Sequence, residues 1–464
     1  MTRRLPVPPA PGPLETYCQP FDPLFGQRNQ RDRFRRYLEG LLLPAERNKT
    51  LTGLANTAPV IGAQHPHAQS LQWFLSESTW DADAVNDRRL AILRDDPVTA
   101  PTAEGVLVID EHGDRKWGSK TAHIGKQYLA NLGKIDTGVV SVTSLWADED
   151  LYYPLHVEPY TPAHHFEEGK ADPGFRTKLA MAVELVRQAV DAGIPFRAVV
   201  ADCFYGEDHR VQQGIRDLGK GYVLALKPSH AWWHPIDSIG SLQEAAEAAG
   251  WQSPDVPGTW VRIERTFRDG HTETWWALEV DLGPYGPKKP LRAVVATTDP
   301  AALPEHGTWY LTTNLPAAGS ARADEEDALP AADLGEIVRL YGLRNWVEQS
   351  YKQTKGALGW SQYQVRSDTA IRRHWTLVCC AFSFCWYHHS RSAESGNHPA
   401  QANPVADETT GRGENGEHAP VSTTALLAGG AAGRPGVARA LDHALALLAG
   451  VVEEAPTTTT ATAP

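Results

Sequence analysis

Residues 105–110 read GVLVID: a glycine, four apolar residues and an acid. An unbroken apolar run of this length predicts a strand buried on both faces, which would deliver the Asp110 carboxylate at its C-terminal edge. Two further strands are expected at 137–146 (TGVVSVTSLW) and at 152–157. Residues 175–192 carry Leu179, Ala182, Val183, Leu185, Val186 and Val190 at helical spacing, an amphipathic helix. Residues 196–202, FRAVVAD, repeat the opening pattern and place Asp202 at the end of another buried strand. A helix over 208–218 and a strand over 222–226 complete the series.

The order βββαβαβ, with acids ending two strands that are not sequence neighbours, is the order an RNase H-like sheet requires, so the fold class is α/β. On the N-terminal side, residues 25–98 predict an all-helical domain with a polar, partly basic surface, with Phe34, Tyr37, Leu38, Leu41 and Leu42 in helical register. The Pro-rich residues 1–24 are expected to be flexible. Residues 105–230 form the first part of the catalytic core. Residues 231–330 read as a β-rich insertion, with strands at 260–267, 272–280, 291–298 and 309–313 and a hairpin turn at Arg268-Asp269-Gly270. Residues 331–390 form the C-terminal helical part of the core, with helices at 334–358 and 370–387. Residues 391–464 are a low-complexity tail with one short helix near 437–452.

The third acid of interest, Glu348, lies in YGLRNWVEQSYKQTKGALGW (341–360). Tyr341, Arg344, Glu348 and Lys355 recur at offsets of three, four and seven, which puts them on one face of one helix. Phosphodiester chemistry needs little beyond metal placement. Two Mg²⁺ ions about 4 Å apart can activate the attacking oxygen and stabilise the leaving one, and oxygen ligands from a few separated carboxylates suffice. Plainer readings stand beside this one. Each aspartate alone is a common strand-ending turn residue, and Arg344 with Glu348 is a common i,i+4 pair, worth about 0.3–0.5 kcal/mol.

The net charge of −12 is unusual for a protein that handles phosphates. Two windows are nevertheless basic. Arg115, Lys116, Lys120, Lys126 and Lys134 precede any acid before Asp136, and seven Arg or Lys lie between Arg339 and Arg373 against Glu348 and Asp368. The five cysteines lack CxxC spacing, which argues against a zinc site or a disulfide framework. No signal peptide and no membrane span are expected. The expected location is the cytoplasm.

Several motifs in order resemble the DDE transposases of the IS4 superfamily, IS701-like group. They are RRYLEGLLLPAERNK (35–49), LQWFLSESTWD (71–81), VLVID followed by GSK, QYLANLGKID and VVSV, ADCFYG (201–206), and Tyr341-x2-Arg344-x3-Glu348-x6-Lys355. The likeness covers about residues 25–390. It implies Mg²⁺-dependent cleavage at element ends, with Mn²⁺ able to substitute, followed by attack of a 3′-OH on target DNA. Asp110, Asp202 and Glu348 would be catalytic residues and ligands to two metal ions. Tyr341, Arg344, Lys355, Lys116, Lys120, Lys126 and Lys134 would contact DNA. The partners would be double-stranded DNA, as terminal inverted repeats and target, and a second copy of the chain in the synaptic complex. The family commonly has two acids followed by Thr at the first motif, where this chain has Asp110-Glu111-His112. Strand alternation admits only one of the two acids, and Asp110 is favoured over Glu111. The alternatives are a catalytically impaired, transposase-derived DNA-binding protein, or another RNase H-like nuclease.

Overall fold

The computed structural model describes residues 12–43, 48–56, 64–233, 239–266, 271–280, 291–326 and 328–394. Five helices come first: α1 (Gly12–Cys18), α2 (Arg28–Leu42), α3 (Leu51–Leu54), α4 (Pro66–Ser76) and α5 (Ala82–Asp95). Capping fixes where they start. Gln27 and Gln30 form a reciprocal capping box on α2, and the Asp81 carboxylate accepts the Asp83 and Ala84 N–H groups at the start of α5. The predicted stripe of α2 is buried throughout.

Residues 12–24 are not the flexible start that their proline content predicts. Tyr17, Cys18, Phe21 and Phe25 are fully buried, and Arg35 holds this segment through ion pairs to Glu15 (2.8 Å) and Asp22 (2.7 Å). Apolar side chains every three or four residues outweighed the composition.

The core strands follow: β1 (Val106–Arg115), β2 (Gly125–Leu129), β3 (Lys134–Ala147) and β4 (Tyr152–Tyr160). After α6 (Lys178–Asp191) come β5 (Ala198–Ala201), α7 (Cys203–Gly206), α8 (His209–Asp217) and β6 (Tyr222–Ala225). β3 runs antiparallel to β1, β4 and β2 run antiparallel to β3, and β1, β5 and β6 are parallel. This helical region followed by a mixed sheet is consistent with an RNase H-like core.

Residues 231–326 supply β7 (Ala231–Trp233) and β8 (Ile239–Ser241), which pair with each other, then α9 (Leu242–Glu247), β9 (Val261–Thr266), β10 (Thr272–Val280), β11 (Arg292–Thr297) and β12 (Thr308–Thr313). The last four do not stand off as a separate body. β12 pairs with β6, so the large sheet continues in the order β6-β12-β11-β10-β9. The Arg268–Gly270 turn lies outside the described residues.

Three helices close the described chain: α10 (Leu334–Gly342), α11 (Asn345–Gly356) and α12 (Asp368–Glu394). α12 packs against α2, α4, α5 and β4, so the N-terminal helices and the sheet share one core. The predicted tail helix near 437–452 lies outside the described residues. Among the described residues, no helix is long and apolar enough to cross a membrane. All five cysteines are free thiols.

Arg89 joins three of these layers. Its guanidinium is fully buried and donates to the carbonyls of Pro154 and Leu155 on β4 (both 2.7 Å), to Ser383 Oγ on α12 (3.0 Å) and to Asn86 Oδ1 on its own helix. Replacing Arg89 by Met keeps much of the volume but leaves these acceptors buried and unmatched. Urea denaturation of Arg89→Met should show a loss of about 3 kcal/mol.

Candidate active site

The parallel pairing of β1 with β5 ends at Ile109 opposite Ala201. Asp110 and Asp202 are the next residues on each chain, so the two aspartates leave adjacent strands at one level. This is the carboxyl edge of the parallel part of the sheet, where α/β folds place their ligands. Asp110 does not end its strand as predicted. β1 continues to Arg115 because β3 keeps pairing with it beyond the end of β5.

The Asp110 carboxylate is buried. One oxygen accepts the Glu111 N–H at 2.8 Å, and the other receives Arg344 Nη2 at 3.0 Å. Asp202 is half-buried and caps the short α7, accepting the Phe204 N–H at 3.0 Å. Glu348 is exposed in the first turn of α11. Burial pushes the Asp110 carboxyl up to about 7, and the negative charges of Asp202 and Glu348 add to the rise. Arg344 opposes that rise without cancelling it. Its own pKa is raised, held by the charges of Asp110, Tyr341, Asp202 and Glu348. Burial therefore dominates at Asp110, and the three carboxylates form one electrostatic group graded from buried to exposed.

Alternation along β1 separates Asp110 from Glu111. Glu111 faces away and pairs with Lys178 on α6 at 2.9 Å. The neighbouring acid is thus already neutralised on the other face.

The single helix predicted over 334–358 is in fact two. Gly342 weakens the helix, and the Arg265 guanidinium packs so close to it that a β-carbon there would lie 2.2 Å from Nη2. The chain passes through Leu343 and Arg344 with tight i→i+3 bonds, Arg344 N–H to Tyr341 O and Val347 N–H to Arg344 O (both 3.0 Å). Tyr341 is buried with its ring 5.0 Å from Trp309 of β12. Lys355 is half-buried, and burial lowers its pKa against the pull of Asp114 and Glu348.

Tyr351 was missed at the sequence level. It is enclosed beneath this group, its hydroxyl hydrogen-bonded to Thr143 Oγ1 and its ring 4.8 Å from His112. It fills the gap in the spacing 341, 344, 348, 351, 355, so the signal was present. Lys116 has an internal role. Its ammonium donates to the Ser361 and Tyr363 carbonyls (2.8 and 3.2 Å) and lies 3.3 Å from the Tyr363 ring centre, and burial lowers its pKa to about 8. Lys120, Lys126 and Lys134 are exposed, on the loop after β1, on β2 and on β3.

Among the described residues, no three His, Cys, Asp or Glu side chains surround one point as a metal shell. The donor chemistry nonetheless fits Mg²⁺, which takes one or two carboxylates and completes its shell with water and substrate phosphate. A buried carboxylate repelled by two others is also a place where a divalent cation lowers the energy. A cavity of about 520 Å³ lies elsewhere, against α5, β4, α6 and α12, lined by Asp83, Asp87, Glu158 and Arg372 among others. A duplex needs an open edge rather than a cavity.

A family profile described as DDE superfamily endonuclease matches residues 20–277. The chain is also 30% identical over 367 residues to a protein described as a probable transposase for insertion sequence element IS701, from Microchaete diplosiphon, with 79% of this chain and 85% of that protein covered.

The Asp110 shift has a consequence for stability. A carboxyl whose folded pKa lies near 7 and whose ordinary value is 3.8 binds its proton more tightly when folded. It is least costly to the fold below about pH 4, and the cost grows as pH rises toward 7. Asp110→Asn should therefore be more stable than the unaltered chain above pH 7, by something on the order of 2 kcal/mol. Thermal unfolding across pH should show the difference vanish near pH 4.

Proposed function

This chain belongs to the DDE superfamily of endonucleases, and we propose that it is a transposase that cleaves DNA at the ends of its element and joins the released 3′-OH to target DNA. The proposal is supported by the adjacency of Asp110 and Asp202 beyond the paired ends of β1 and β5, with Arg344 paired to Asp110 and the charge of Glu348 within electrostatic reach of it. The strand-rich residues 231–330 are the insertion that interrupts the core before the Glu348 helix. Residues 25–98 serve DNA binding or assembly of a synaptic dimer.

Asp110, Asp202 and Glu348 would hold the divalent metal, Mg²⁺ or Mn²⁺, as two ions. When bound, the metal supplies Lewis-acid charge to the phosphate oxygens and makes the attacking hydroxyl more acidic. The remaining tasks fall to the protein. Arg344 gives up part of its pairing with Asp110 to meet the charge that builds on the phosphate oxygens. It cannot lose its proton, and its planar donors suit two oxygens at once. Lys355, one face along α11, contacts the next phosphate of the same strand. Tyr341, locked against Trp309, fixes the turn from which Arg344 projects. Tyr351 ties α11 to β3 through Thr143, so that Glu348 and Asp110 keep their relation when DNA arrives. In the cleavage step a water oxygen bonds to phosphorus, the bond to the bridging 3′ oxygen breaks, and that oxygen leaves as the 3′-OH. In transfer the same hydroxyl oxygen bonds to a phosphorus of the target strand, losing its proton, and the bond to that strand's own 3′ oxygen breaks, that oxygen leaving as a new 3′-OH.

The Asp110-Glu111-His112 sequence keeps the second reading, a DNA-binding relative without catalysis, as an outcome of the test. Duplexes carrying the terminal inverted repeats should be nicked at the repeat ends in Mg²⁺. Glu348→Gln should bind the same duplexes and cut at least about a hundredfold more slowly. Specific binding with no cutting in Mg²⁺ or Mn²⁺ selects the second reading. A separate readout follows from the metal itself: Mg²⁺ should raise the melting temperature of the unaltered chain and leave that of Asp110→Asn unchanged.

A further inference from the structure

The sheet face that carries Asp110 does not stop at the carboxylates. Asp110 is paired with Thr143 on β3, and paired residues share a face. Alternation carries that face outward along β3 through Ser141, Val139 and Thr137 to Ile135. Cover is lost on the way: Ser141 and Val139 are buried, Thr137 is half-buried, and Ile135 is 70% exposed. β2 lies beside this outer part, with Tyr128 opposite Ile135 and Lys126 opposite Thr137. Tyr128 is 54% exposed, and Trp117, on the loop leaving β1, is 80% exposed with the Arg115 guanidinium 4.2 Å from its ring centre.

An isoleucine, a tyrosine and a tryptophan left open on one projection need a partner. Charge identifies its class. Lys126 is exposed on the Tyr128 face of β2 and Lys120 is exposed on the loop before it, residues 115–135 contain no acid, and the first acid, Asp136, is paired with Arg115 at 3.2 Å. A flat apolar strip bordered by lysines is complementary to duplex DNA, whose sugar edges line the minor groove between two rows of phosphates.

We propose that the outer β2–β3 hairpin, together with Trp117, is a second contact surface for the element-end duplex. Tyr128 and Ile135 lie against the sugars of the minor groove, and Lys126, on their face of the hairpin, holds a flanking phosphate together with Lys120 on the preceding loop. This inference rests on the DNA-transposase reading above and adds a position to it. Eight residues separate Thr143 from Ile135, about 25 Å of strand, so the contact falls about seven to eight base pairs from the cut phosphate.

The test uses the full chain and a duplex carrying the terminal inverted repeat, with Ca²⁺ in place of Mg²⁺. Affinity is measured across a salt series, and backbone protection is mapped by hydroxyl radicals. Lys120→Ala/Lys126→Ala should lower the slope of log affinity against log salt by about two. Tyr128→Ser/Ile135→Ser should weaken binding about tenfold at every salt with the slope unchanged. Both should lose protection seven to eight base pairs from the cut while keeping it at the cut. All four side chains are exposed, so unaltered melting temperatures confirm that the variants are folded. Full affinity and an unchanged footprint in both variants overturn this inference alone. So does a DNA-free dimer of the unaltered chain that the Tyr128/Ile135 variant splits, since the strip then serves self-association. An unaltered chain that binds no duplex overturns the proposed function and this surface with it.

Discussion

A carboxylate in a place that disfavours its charge is the constraint around which this molecule is arranged. β1 is buried on both faces, and Asp110 must carry its charge there against the charges of half-buried Asp202 and exposed Glu348. Arg344 offsets part of the cost, and its position explains several otherwise unrelated features. The helix breaks at Gly342 so that Arg344 projects from the turn. Arg265 fills the space a larger residue at 342 would need, and its guanidinium lies 5.4 Å from the ring centres of both Trp275 and Trp309. Trp309 in turn fixes Tyr341. Strands contributed from residues 261–313 are thus part of what aims one guanidinium at one aspartate. Such a site is costly to the fold, as groups held for function commonly are.

The distribution of basic side chains resolves the apparent conflict between a net charge of −12 and a nucleic-acid partner. Much of the basic character of residues 339–373 is internal. Arg339 is paired with Glu149, Arg372 with Glu158 and Asp368, and Arg373 donates to the carbonyls of Leu75 and Trp80. Only part of that window is available to phosphate. The hairpin of β2 and β3 and the loop before it behave differently, since Lys120, Lys126 and Lys134 stand in solvent. Counting charges along the sequence treated the two windows alike. Burial distinguishes them.

Most of the core was legible because its signals are local. GVLVID and FRAVVAD give buried strands, the stripe in α2 gives its helix, and offsets of three and four bring Arg344, Glu348 and Lys355 near one another. What failed was set by partners distant in sequence. The continuation of β1 past Asp110 depends on β3, some thirty residues on. Arg265, which packs against Gly342 beside the break in the 334–358 helix, comes from a distant strand, and the order of residues 12–24 depends on Arg35 and α12. The β-rich segment was recognised, but that it prolongs the main sheet was not, because strand propensity carries no information on pairing. Lys116 looked like its neighbours in the sequence and differs from them only because residues 361–363 come back to meet it.

The position of α12 has a bearing on how the chain is made. Tyr17 donates its hydroxyl to the Cys380 carbonyl across 363 residues, and Tyr37 bonds to His374 across 337. These helices leave the ribosome long before α12, the element that covers them, has been made. At about 5–20 residues per second, their apolar faces wait roughly 20 to 70 s for that partner. A nascent chain therefore stays open through most of its synthesis, and a message cut short before α12 yields no smaller working version of the protein.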